Sequence, residues 1–381
     1  MNINLKSIVT PILILLFLMP PTLVSFIPLA IRSEYYYLVI FIGWITSFLF
    51  FFKSVFLNTD KSSASLFTII LLSSGIVTFV VKGEISLFNL LFPLLSLMGY
   101  KICVNHKINP KHWMNAYFIF LYILFYIFYF SIIPDYFYRP DFNEDFLSGS
   151  SSNAIPLALN TTLYAYMILN FFYKSAAQRS ILIISIINLL LNIIQQGRGG
   201  IIIGLILVFM ALYEYAPRFI YKIRYFGFIV LFLVLYTATE AIINSPILNS
   251  GFYNNQTELL EYSFFTEKRI MAQLSFFNQL TVNNFFFGFP ANTYFSDDVY
   301  QMNYTYNMFL DFWNKYNLLT LFILISIIIN RIVNRNDFLF PAYYLIPFLI
   351  YAMIEYVYLT NFKDLFIYLV LFVKRDSTIP S

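Results

Sequence analysis

An all-α, polytopic membrane fold is what this sequence predicts, and three observations predict it. Hydrophobic residues make up 60% of the 381-residue chain and charged residues only 11%, a balance that no soluble chain of this length can bury in one core. The mean hydropathy is +0.73. Apolar stretches near the roughly 20 residues needed to cross a bilayer recur from one end of the chain to the other.

The first stretch, 8–31 after Lys6, is too long for a signal-peptide core and lacks a small-residue cleavage site, so it reads as a retained span kinked by Pro11, Pro20, Pro21 and Pro28. Further stretches fall near 35–57, 64–81, 85–104, 113–133, 153–173, 180–196, 199–216, 225–243, 306–330, 338–357 and 361–373. That makes about 12 transmembrane helices, of which the last is short for a span. Orientation follows from the connections. A cytoplasmic N-terminus puts about 15 of the 23 Lys and Arg inside, among them Lys53, Lys101, Lys107, Arg179, Lys222, Arg331 and Lys374. Both termini are then cytoplasmic. The net charge of +4 is a consequence of topology, not of a nucleic-acid partner. The 46 Phe and 31 Tyr suit interfacial belts and mark no site. Cys103, the one cysteine, excludes an intrachain disulfide and reads as a buried structural thiol.

The chain is one transmembrane domain, 1–381, with two connections too long to be turns, both on the outer side. The shorter, 134–153, carries Asp135, Asp141, Glu144 and Asp145 against Arg139 and then a Ser/Gly stretch, which fits a flexible acidic lid or a plain solvated loop. The longer, 243–305, is rich in aromatic and apolar residues and so is not a disordered segment. Within it, Asn255 to Glu258 has the form of a capping box. Leu260, Phe264, Met271, Leu274 and Phe277 then recur at helical spacing, as amphipathic helices on a membrane surface would. No internal repeat is present.

Between the apolar runs 180–196 and 199–216 lies Gln195-Gln196-Gly197-Arg198-Gly199-Gly200, a polar hinge whose arginine has no acidic neighbour. A guanidinium there can lie against an anion, with a phosphate the best match, while the N–H groups of the following helix start converge on the same point. The alternative is a helix-end arginine that snorkels to lipid headgroups. Lys268 and Arg269 lie in the long loop at the head of a helix that opens near Thr266. Together with Arg198 they suit a pyrophosphate clamp, the alternative being a solvated face shared with Glu267. No nucleotide loop or HExxH is present, and His106 and His112 both fall in a cytoplasmic connection. Neither a metal site nor a cofactor is implied.

Several segments, in order, resemble the O-antigen polymerase and O-antigen ligase superfamily of bacterial envelope glycosyltransferases. Gly197-Arg198-Gly199-Gly200-Ile201-Ile202-Ile203 is similar to that family's arginine-glycine motif opening a span. Glu267-Lys268-Arg269-Ile270, followed by Phe285-Phe286-Phe287-Gly288-Phe289-Pro290-Ala291-Asn292, is similar to its loop arginine, amphipathic helix and downstream glycine turn. Tyr306-Asn307-Met308-Phe309-Leu310 resembles its His-Asn entry to the next span. The likeness covers roughly 180–330 and departs from the pattern at Tyr306, where the family has histidine, and near Asn317, where it has glycine. In ligase members that histidine is thought to activate the acceptor, so its absence argues against a ligase and leaves the base unassigned. Asp311 is one candidate, because Tyr304, Asn307 and Asp311 share a face if that segment is helical; Glu267, Asp297 and Asp298 are others.

The resemblance implies a GT-C-like all-α membrane enzyme of the bacterial inner membrane. It would be a metal-independent polymerase of O-antigen or a related surface glycan, working at the periplasmic face on undecaprenyl-pyrophosphate-linked repeats. Arg198 and Arg269 would neutralise the leaving pyrophosphate, with Asp311 as candidate base. Gly197, Gly199, Gly200, Lys268, Tyr306 and Asn307 would bind substrate. A flippase and a chain-length regulator are the implied partners, besides the bilayer itself. An O-antigen ligase and a lipid-linked oligosaccharide flippase are the competing functions.

Overall fold

The computed structural model describes residues 11, 12, 14, 63–82, 87–105, 108–126, 154–194, 198–215, 267–290, 293–295, 307–354 and 365–375. Among these the chain is all-α, with no named strand and one isolated bridge between Phe338 and Lys374. The helices are α1 Ser63–Lys82, α2 Leu87–Asn105, α3 Lys111–Tyr126, α4 Ala154–Phe172, α5 Gln178–Ile194 and α6 Arg198–Tyr215. They continue with α7 Glu267–Asn278, α8 Val282–Phe287, α9 Met308–Tyr316, α10 Leu318–Val333, α11 Leu345–Ile354 and α12 Leu365–Phe372. The expected spans 8–31, 35–57 and 225–243, the lid at 134–153, the capping box at Asn255 and the positions Leu260 and Phe264 lie outside the described residues, apart from 11, 12 and 14.

Six expected spans match single helices, α1 to α6, within a few residues where they are described, which reflects how directly a long apolar run specifies a helix. Among the described residues only α1 is both long and apolar enough to cross a bilayer by itself; shorter apolar helices lie in α5, α6 and α10 and across Ala342–Met353, which joins the 3-10 turn before α11 to α11 itself. The expected span 306–330 is instead two helices. It breaks at Asn317, whose backbone sits at φ 76°, ψ 165°, a region open to glycine and strained for other residues. The stretch 338–357 opens as a 3-10 turn, Ala342–Tyr344, behind Pro341 before α11 begins.

The shortest apolar run sits deepest. α12 is apolar on all sides, and Phe366 to Val373 are all buried, packed against α1, α2, α4 and α10. Its C-terminal end is fixed by Arg331, an expected cytoplasmic-loop residue that is instead fully buried on α10. The Arg331 guanidinium donates from Nε to the Val370 carbonyl at 2.9 Å, donates from Nη2 to the Phe340 carbonyl, and lies over the Phe338 ring. A cation on the last carbonyls of a helix answers its dipole. Lys101, also expected in a connection, lies within α2 and is buried. Cys103 is a fully buried free thiol, as its apolar setting predicts.

Candidate functional site

Arg198 is the first residue of α6, and Gly199 and Gly200 complete the start of that helix. Gly197 and Tyr306 lie outside the described residues, as do the side chains of Arg198, Lys268 and Arg269. The backbone under this helix start is held by amides. Asn160 of α4 donates from Nδ2 to the Gly200 carbonyl at 2.7 Å. Asn192 of α5 donates from Nδ2 to the same carbonyl at 3.2 Å and to Asn160 Oδ1 at 2.9 Å. Both asparagines are fully buried. One turn further along, Gly204 leaves the space the Asn192 amide occupies, since a Cβ there would stand 2.8 Å from Nδ2. Gly200 and Gly204 thus form a small-xxx-small face on which α4 and α5 close.

A second amide lies one turn back on α5. Asn188 donates to the Leu159 carbonyl at 3.1 Å and accepts from the Tyr122 hydroxyl of α3 at 2.7 Å. No motif in the sequence singles out these three asparagines. The four-residue spacing of Asn188 and Asn192 inside an apolar run is the signal that marks one polar helix face.

Lys268 and Arg269 fall in the first turn of α7 as described, Glu267–Asn278, in line with a helix expected to open near Thr266. The face of α7 that packs on the protein lies apart from Leu274 and Phe277, the positions expected on a membrane surface. Ala272 and Phe276 are buried, whereas Leu274 and Phe277 are each 50% exposed. Phe276 is the hub of an aromatic cluster, with ring centroids 4.8 Å from Phe289, 5.3 Å from Phe295 and 5.2 Å from Trp313. Phe285 meets Trp313 edge-on, and the Trp313 indole donates to the Phe285 carbonyl at 2.7 Å.

The glycine turn of this segment has a stated reason for being glycine. Gly288 ends α8 at φ 78°, ψ −179°, and a Cβ there would lie 2.4 Å from the Asn314 carbonyl oxygen. Asn314 in turn accepts from the Phe289 N–H at 2.6 Å, and its carbonyl accepts from Lys82 Nζ at the same distance. Lys82, the last residue of α1, therefore ties this segment to the helical bundle. Asn317 is tied there too: its side chain caps α10 through the Thr320 N–H at 3.0 Å and donates to Ser74 of α1 at 2.8 Å. Ser74 also donates to the Tyr316 carbonyl.

Asn307 is the N-cap of α9, its side-chain oxygen accepting from the Phe309 and Leu310 N–H groups. The Asp311 N–H donates to the Asn307 carbonyl at 2.9 Å, so the two residues lie one turn apart at the start of α9; Tyr304 lies outside the described residues. Asp311, the candidate base, is 4% exposed and so is buried in the first turn of α9. Among the described residues no three His, Cys, Asp or Glu side chains come together.

Far from Arg198 along α6, near that helix's other end, Glu214 accepts hydrogen bonds from the Tyr343 and Tyr344 hydroxyls. Tyr164 of α4 donates to the Tyr344 carbonyl. This carboxylate-tyrosine knot joins α6 to the start of α11. Comparison of the chain with protein-family models, with curated proteins and with solved structures finds no match.

Proposed function

We propose that this protein is a polysaccharide polymerase of a bacterial cytoplasmic membrane, crossing it about twelve times and acting at the outer face. Support for the membrane reading comes from large apolar side chains that point outward from the bundle, such as Leu66, Ile69 and Val80 of α1 and Leu319, Phe322 and Ile329 of α10. Such faces are costly in water and natural in lipid.

The observation that carries the enzymatic reading is the helix start at Arg198: an arginine two residues before a carbonyl clamped by two buried amides, in a chain whose long loop opens a second helix with Lys268-Arg269. Bidentate guanidinium groups match phosphoryl oxygens, and fixed positive charge is worth most where negative charge builds in the transition state. In the proposed step an acceptor hydroxyl oxygen forms a bond to the anomeric carbon of the donor chain. The bond from that carbon to the lipid pyrophosphate breaks, and the pyrophosphate leaves with its electron pair. Arg198 and Arg269 neutralise the leaving group, Lys268 assists, and the hydroxyl proton passes to a carboxylate. Asp311 holds that role only if the site around α9 opens, since it is buried.

The test is the banding pattern of envelope polysaccharide from cells carrying Arg198→Ala at normal protein level. The expected result is loss of the ladder with single repeats retained. An unchanged ladder overturns the role of Arg198. Lipid-linked polymer accumulating on a bare acceptor after deletion of the protein points instead to a ligase, and repeats stranded on the cytoplasmic leaflet point to a flippase.

A further inference from the structure

We propose that Asn160 and Asn192 are positioning residues, whose grip on the Gly200 carbonyl sets where residue 198 sits at the end of the bundle. The importance of that position rests on the glycan-polymerase reading; the geometry does not.

In a helix the Gly200 carbonyl has one ordinary partner, the N–H four residues on. Here it receives two further donors, from different helices, and one of those donors is itself bonded to the other asparagine. The result is a closed triangle of Asn160, Asn192 and the first turn of α6. Backbone is a better handle than a side chain for this purpose. A carbonyl two residues from Arg198 cannot move without moving the helix start, whereas a side-chain contact can slide. Gly204 completes the device, because any side chain there meets the Asn192 amide.

Ordinary interhelical glue is the competing account, and the molecule contains its own control for it. Asn188 is buried like Asn192 and lies one turn away on the same helix, yet it bonds to Leu159 and Tyr122 and not to α6. If amides merely hold helices together, losing Asn188 and losing Asn192 have equal consequences at residue 198. If the triangle positions the turn, they differ.

The experiment is labelling of Arg198→Cys by a membrane-impermeant maleimide in intact membranes. Cys103 is fully buried and needs no removal. Labelling is compared in the otherwise native chain and with Asn160→Leu, Asn192→Leu or Asn188→Leu added. An Asn283→Cys chain, exposed on α8, reports in parallel that each variant retains its fold. From the strength of hydrogen bonds between membrane helices, Asn160→Leu and Asn192→Leu are expected to change the rate at 198 by about 3- to 20-fold. Asn188→Leu should change it by less than about twofold, because its bonds do not reach α6. Where a leucine variant alters labelling at 283, Asn160→Ser or Asn192→Ser replaces it, since serine falls short of the Gly200 carbonyl but leaves a polar group. The proposal is overturned by an unchanged rate at 198 in both clamp variants, by an equal change with Asn188→Leu, or by a residue 198 that reacts in no background. Labelling reports position and not product. A normal polysaccharide ladder with Arg198→Ala would therefore sink the role assigned to Arg198 and leave the clamp standing, and a null labelling result would do the reverse.

Discussion

At the start of α6 the backbone is held by buried asparagine amides and two glycines, whereas across α7, α8 and α9 the chain is held by stacked and edge-on rings around Phe276. Under the membrane reading proposed above, the difference follows from the solvent each region would face. Between helices in lipid there is no hydrophobic driving force, so close backbone approach and interhelical hydrogen bonds decide which faces meet. A loop segment in water gains from burying rings, and aromatic pairs add edge-to-face attraction to that burial. The two regions should accordingly fail in different ways.

Phe276→Ala is expected to have the largest effect, about 3–5 kcal/mol, since it removes the ring that Phe289, Phe295 and Trp313 share. Limited proteolysis should then cut within 267–295 while α4 to α6 stay protected; equal loss of protection in both regions would show that they are one cooperative unit. Gly288→Ala comes next, at about 2–4 kcal/mol, because alanine is strained at φ 78° and its Cβ meets the Asn314 carbonyl. The same proteolysis should open the α8–α9 junction first. Gly204→Ala breaks the comparison from the other side. It should cost about 1–2 kcal/mol by pushing the Asn192 amide off Gly200, lowering the thermal midpoint of the purified protein without exposing 267–295 to protease. Asn317→Gly should be the mildest, within about 1 kcal/mol of neutral, because relief of the positive-φ strain offsets loss of the α10 cap and the Ser74 bond. A large loss of thermal stability there would mean that the asparagine side chain, and not the backbone bend, is what the position requires.

Asn317 combines a backbone conformation open to glycine with side-chain bonds to Thr320 and Ser74. Asn307, expected to meet substrate, has its side-chain oxygen engaged with the first N–H groups of α9.

The sequence by itself determined that the described chain is helical and where most helices lie, because an apolar run of spanning length leaves the backbone no better way to satisfy its own hydrogen bonds. It also located α7 and the arginine that opens α6, since a polar break between apolar runs is a local signal. Tertiary structure alone decided the rest. The pairing of Asn160 with Gly200 spans 40 residues, that of Arg331 with Val370 spans 39, and that of Lys82 with Asn314 spans 232. No periodicity carries partners at such separations. Which face of α7 is buried, whether Asp311 meets solvent, and which short run becomes the central helix all depend on what packs opposite. A local pattern states that a residue is polar or apolar. Only the neighbour across the contact turns that into a clamp, a cap or a core.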